Sequence, residues 1–236
     1  MTISLYFAVL SAGTLAVIVF LVLRVRHGGP RGLYSKAIAS FFFVLSAIVA
    51  ANANPGHGIY AGFIIFGLQL GLSGDIWLDL KWIYEKDMRH FLYAGFISFM
   101  LGHACYIAAV YKFCGNWTVF TALFPVVPSI GVTVFNALFG EKLFKVNFGK
   151  FKPIVTLYGF ILSMTLFTSQ SAMLASSFSP QWILMTVGGL CFLISDAVLS
   201  EMYFAKGKNT GKNIIINHLF YYAAQFSIAS SILFIK

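Results

Sequence analysis

Apolar residues come along this chain in runs of about 20, and polar residues collect in the short gaps between them. A run of that length crosses a hydrocarbon core of ~30 Å at 1.5 Å per residue of helix. Eight runs can be read: Thr2–Leu23, Tyr34–Ala53, Tyr60–Leu80, Phe91–Tyr111, Val119–Phe139, Phe151–Gln170, Trp182–Ala205 and Ile214–Ile235. None alternates strictly between apolar and polar residues, so helices are expected rather than the strands of a barrel. The expected fold is all-α: a polytopic transmembrane bundle of about eight helices in one domain, residues 1–236. The fifth run carries Pro125 and Pro128 and should be kinked or partly re-entrant. Gly67, Gly71 and Gly74 give small-xxx-small spacing on the third and predict close helix packing.

Composition agrees with this pattern. Hydrophobic residues make up 59% of the chain and charged residues only 10%, against about 25% charged in soluble domains. The net charge of +9 suggests nucleic acid until the cations are placed. Fourteen of the 16 fall in the first, third, fifth and seventh gaps, including Arg24, Lys36 and Lys81; Lys112 and Lys236 fall on the other side. This alternation is the positive-inside pattern of eight spans with both termini non-cytoplasmic. The basic balance thus reads as topology, with anionic lipid as its partner and no nucleic acid. The opening MTISLYFAVL has no basic residue ahead of its apolar run and reads as a retained span. Cys105, Cys114 and Cys191 are scattered and read as small apolar residues, so neither a metal nor another cofactor is expected.

Candidate chemistry lies in the ionisable groups inside the spans, where a charge costs at least ~2.5 kcal/mol. Four acids fall there. Asp79 and Glu201, near the cytoplasmic span ends, read equally as acids at a wet edge or as functional groups. Asp75 and Asp196 lie deeper, six and ten residues before Lys81 and Lys206, or roughly 9 and 15 Å along a helix. Their settings, GLSGDIWLDL and FLISDAVLSE, are alike and occupy the same place in each four-span half. A parallel four-plus-four pseudo-repeat would bring the two carboxylates face to face. On the eighth span His218, Tyr221 or Tyr222, and Gln225 share a face. Ser129, Thr133 and Asn136 share one on the fifth and read as interhelical hydrogen bonding. His103 sits mid-span, one turn from Tyr106, and reads equally as a packing or a site histidine.

Four segments carry a family resemblance. Gly74, Asp75 and Leu78; Gly95, Phe99, His103 and Tyr106; Phe192, Ser195 and Asp196; and Tyr221, Tyr222 and Gln225 follow one another as the motifs of the lysoplasmalogenase, or YhhN-like, family do. The resemblance covers about two-thirds of the chain. It implies a hydrolase that cleaves the vinyl ether of a lysophospholipid substrate, a lysoplasmalogen, to a fatty aldehyde and a glycerophospho-headgroup. Asp75 and Asp196 would be the catalytic pair, without either being assigned as the acid. His103, Tyr106, His218, Tyr221, Tyr222 and Gln225 would line the substrate. The compact chain fits a bacterial cell membrane, or the endoplasmic reticulum membrane in a eukaryote. Two carboxyls held at different proton affinities suit the reaction, since protonation at carbon and capture of an oxocarbenium ion need an acid and an anion. Membrane carboxylates in a repeat also suit a proton-coupled transporter or a lipid-binding non-enzyme. An intramembrane aspartyl protease is disfavoured, because Leu72 stands where that class has glycine before Gly74-Asp75. The sequence leaves the oligomeric state open.

Overall fold

Prolines and threonines set many of the helix starts. Pro30, Pro153 and Pro180 lie in the first turns of α2 (Gly29–Ala53), α8 (Lys152–Ala175) and α9 (Pro180–Phe204), where a missing N–H removes a group that has no partner anyway. Thr210 caps α10 (Gly211–Ser230) by accepting from the Asn213 amide, and Thr118 and Thr121 cap α5 (Val119–Leu123) reciprocally. The remaining long helices are α1 (Thr2–Arg26), α3 (Gly58–Leu80) and α4 (Met88–Phe113). This computed structural model describes residues 2–236, and among them every regular element is helical.

The chain is an integral membrane protein: among the described residues, seven helices are long and apolar enough to cross a bilayer. The eighth, α10, falls short because Asn213, Asn217, His218, Tyr221, Tyr222 and Gln225 interrupt it, and all but Asn213 of these are buried inside the bundle. The second span starts at Gly29, five residues before the boundary expected at Tyr34, so Lys36 lies well inside the helix and is buried.

The fifth span is broken where its prolines predict. α5 ends at Leu123, α6 (Val126–Phe135) restarts after Pro125, and a π-helical turn, Asn136–Gly140, precedes the short α7 (Glu141–Leu143). Ser129 donates to the Pro125 carbonyl and Thr133 to the Ser129 carbonyl, at 2.7 Å each. These hydroxyls therefore bond within their own helix, not between helices as the stripe suggested.

The neighbours of each span repeat between the halves. α1 packs on α2 as the fifth span packs on α8; α2 packs on α3 as α8 packs on α9; α3 packs on α4 as α9 packs on α10. The halves join through α4 on α8 and α10 on α2, which is again one relation used twice. A parallel pseudo-repeat of four spans has this pattern, and it carries Asp75 on α3 and Asp196 on α9 to matching places.

Glycine lets α3 and α4 approach backbone to backbone. A Cβ on Gly102 would lie 2.9 Å from the Gly67 carbonyl oxygen, and one on Gly71 would lie 2.7 Å from Gln225 Nε2. Gly102→Ala is expected to destabilise the protein by roughly 1–3 kcal/mol, because a backbone oxygen cannot step aside. Gly62→Ala, with nothing within 4 Å of its Cβ, is the control. Thermal unfolding in detergent compares them, and equal midpoints would refute the tight crossing.

Candidate active site

Asp75 and Asp79 lie one turn apart on α3 and face the starts and ends of its neighbours. Asp79 accepts a bidentate pair from Arg24 of α1, both contacts 2.9 Å. Lys36, on the second turn of α2, reaches Asp75 Oδ1 at 3.0 Å and Asp79 Oδ1 at 3.6 Å. Lys36 is 5% exposed, Asp75 2% and Asp79 1%. Asp79 is therefore not at a wet edge; it belongs to a buried ion cluster, because its side chain points inward from the helix end. Glu201 is half-buried and pairs with Lys208 at 3.4 Å.

The second oxygen of Asp75 is also held. Ser40 and Tyr221 both donate to Oδ2 at 2.6 Å. Gln225 donates to the Tyr221 hydroxyl at 3.0 Å and accepts from Tyr106 at 3.4 Å. Room for that glutamine comes from Gly71. Tyr222 lies 3.0 Å from Ser40 Oγ and 3.3 Å from the Lys36 carbonyl, bracing the residues that hold Asp75. With a cation on one oxygen and two hydroxyl donors on the other, the Asp75 carboxyl is fixed in place from both sides.

Asp196 has different company. Its Oδ2 accepts a close hydrogen bond from Tyr158 of α8, and no cation lies within ion-pair distance of it among the described residues. Asp196 and Tyr158 form the wall between two cavities. On one side is a groove of about 350 Å³ between the fifth span, α8 and α9, lined by Val132, Val155, Leu162 and Leu193 with Lys152 towards its edge. On the other is a cavity of about 30 Å³ that also holds Asp75, Lys36, His218, Tyr221 and Asn217. The first is sized and lined for a hydrocarbon chain. The second has room for about two waters, at ~10–15 Å³ each.

The expected residues thus divide. Asp75, Asp196, His218 and Tyr221 line the small cavity. His218 Nδ1 donates to the Ile214 carbonyl at 2.8 Å, which leaves Nε2 as its acceptor. Tyr222, Gln225 and Tyr106 stand behind Asp75 and line neither cavity. His103 also lies outside both linings; its Nδ1 meets Thr165 Oγ1 at 3.1 Å, its buried Nε2 has no partner, and its ring packs on Phe192 at 4.6 Å. Sequence reasoning missed Lys36, Arg24, Ser40 and Tyr158. Among the described residues no group of three or more His, Cys, Asp and Glu is placed to hold a metal.

Comparison with known proteins returns one family. The YhhN family model matches residues 33–232, which include every site residue named above except Arg24. No curated protein and no solved structure matches the chain.

Proposed function

The chain belongs to the YhhN family, and from that premise we propose that it hydrolyses the vinyl ether of lysoplasmalogens with Asp196 as acid and Asp75 as fixed anion. The observation that carries this is the position of Asp196 on the common wall of the apolar groove and the small polar cavity. An alkenyl chain in the groove brings its first double bond to that carboxyl. Asp196 gives its proton to the β-carbon, and the electron pair of the double bond forms the new C–H bond. The oxocarbenium ion left behind faces the negative charge of Asp75, which Lys36, Ser40 and Tyr221 keep in place. Preorganised charge of this kind stabilises the transition state without rearranging as it forms.

Water from the small cavity then adds to the oxocarbenium carbon and returns a proton to Asp196. The hemiacetal collapses to aldehyde and free glycerol hydroxyl, so protons balance over the cycle. Tyr158 donates to one oxygen of Asp196, leaving the other to carry the transferable proton. His218 Nε2 is the neutral acceptor on that cavity and helps orient the water. The basic end of the bundle faces the cytoplasm in this reading, as the charge alternation requires.

The test is chemical. Purified protein in D₂O should release aldehyde from a lysoplasmalogen with one deuterium at C2, trapped before enolisation exchanges it. An ester-linked lysolipid should yield no aldehyde. Aldehyde free of deuterium would remove the acid role from Asp196, and no aldehyde at all would leave the field to a transporter or a lipid-binding protein.

A further inference from the structure

The groove stands where the first half of the chain keeps its ion cluster. The repeat matches Asp196 with Asp75 and, one turn on, Ser200 with Asp79. Tyr158, which bonds Asp196 from the second turn of α8, matches Lys36, which bonds Asp75 from the second turn of α2. In the first half Arg24, Lys36 and Asp79 fill this space and satisfy one another. In the second half a serine and a tyrosine stand in for the acid and the lysine, and the space is open. Its lining changes from end to end. Val132, Leu162 and Leu193 lie on one side of Asp196; Asn136, Thr156 and Ser200 lie on the other, each nearer the basic end of the bundle along its own helix. Unlike Ser129 and Thr133, these three make no side-chain hydrogen bond within the protein among the described residues. Lys152 ends the row at the mouth of the groove and, among the described residues, is the one cation on the lining. It gives one N–H to Glu141 at 2.7 Å, and Glu141 is itself tied to the Phe148 amide at 3.0 Å. Two donors of the ammonium are left for another acceptor.

We propose that Asn136, Thr156, Ser200 and Lys152 form the headgroup subsite of a single-chain glycerophospholipid, with the glycerol along the three neutral side chains and the phosphodiester on Lys152. The ligand then brings to this half the anion that Asp79 supplies in the other. Lys152 lies six residues before Tyr158, or roughly 9 Å along α8, a distance that a glycerol with its phosphodiester covers. The phosphate sits at the mouth, where Lys152 is half-exposed, so the groove of about 350 Å³ encloses only the glycerol and the chain next to it. The rest of the chain has a way out, because the fifth span packs along α8 and not along α9. The pose rests on the catalytic reading, but lipid binding can be measured apart from turnover. A saturated 1-alkyl lysophospholipid has the same headgroup and no bond to hydrolyse, and 1-alkylglycerol is the same lipid without phosphate.

The experiment measures the affinity of both ligands, by competition with a fluorescent lysolipid, for the intact detergent-solubilised protein and its variants. The parent should bind the phosphate-bearing ligand more tightly. Lys152→Gln should lose about 10-fold of that preference, the lower end for a hydrogen bond to a charged group because the lysine is half-exposed, and Lys152→Arg should keep most of it. Ser200→Asp, which puts back the acid of the first half, should lose the preference as well, while Ser200→Ala keeps it. With the vinyl ether substrate, the loss in Lys152→Gln should fall on KM more than on kcat. A preference unchanged in both Lys152→Gln and Ser200→Asp, or equal weakening for both ligands, would overturn the proposal. Inorganic phosphate competing as well as the lipid would overturn it too, by making this a site for the free anion. The expected pattern of preference in a protein that releases no aldehyde would leave this subsite standing and count against the hydrolase reading alone.

Discussion

Asp196→Asn is expected to lower aldehyde release by about 10²–10⁴-fold, the usual cost of removing a general acid. Asparagine keeps the volume and can still accept from Tyr158, so the fold should survive. What it lacks is a proton acidic enough to give to carbon. Asp75→Asn should lose activity on a similar scale for another reason. It removes the negative charge that faces the oxocarbenium ion and leaves Lys36 with Asp79 alone, 3.6 Å away. Initial rates on one lysoplasmalogen, with protein quantified as folded monodisperse material, decide the matter. Near-parental rates from both variants would end the paired-carboxylate mechanism.

The largest effect on stability is expected from Lys36→Met. Removing one partner of a buried ion pair typically costs 3–5 kcal/mol, roughly the cost of leaving the other charge without compensation. Here Asp79 keeps Arg24, so the stranded charge is that of Asp75. Adding Asp75→Asn to Lys36→Met should therefore recover much of the lost stability while activity stays absent. Thermal unfolding midpoints in detergent for the parent, the single variant and the double variant provide the comparison. A Lys36→Met protein as stable as its parent would show that the pair is not what holds this end of the bundle.

What could be read from the sequence follows from what the bilayer imposes. Span count and helical class were visible because crossing hydrocarbon demands length and apolarity together. Asp75 and Asp196 stood out because an acid deep in such a run has no neutral explanation, and their shared setting anticipated the repeated packing. Lys36 and Arg24 stayed hidden because cations near span ends serve topology in any membrane protein. That Lys36, two residues inside the second run, points inward shows only in its contacts with Asp75 and Asp79. The burial of Asp79 is hidden for the same reason in reverse: distance from a span end does not say which way a side chain faces. Tyr158 gave no signal, since a tyrosine in an apolar helix is common and its partner lies 38 residues away.

The repeated order of neighbours has a consequence for how two like acids come to differ. Four spans return a chain to the side it started from, so two such halves joined end to end run through the bilayer in the same sense. Like elements then meet at like depth. A symmetric pair of identical halves would hold its two carboxyls in identical surroundings, and they could differ only by sharing a proton between them. Joining the halves in one polypeptide lifts that restriction, because each copy then mutates independently. One aspartate has come to lie against a lysine, a serine and a tyrosine, the other against a tyrosine and a hydrocarbon groove. The difference between their surroundings belongs to the linkage of the two copies.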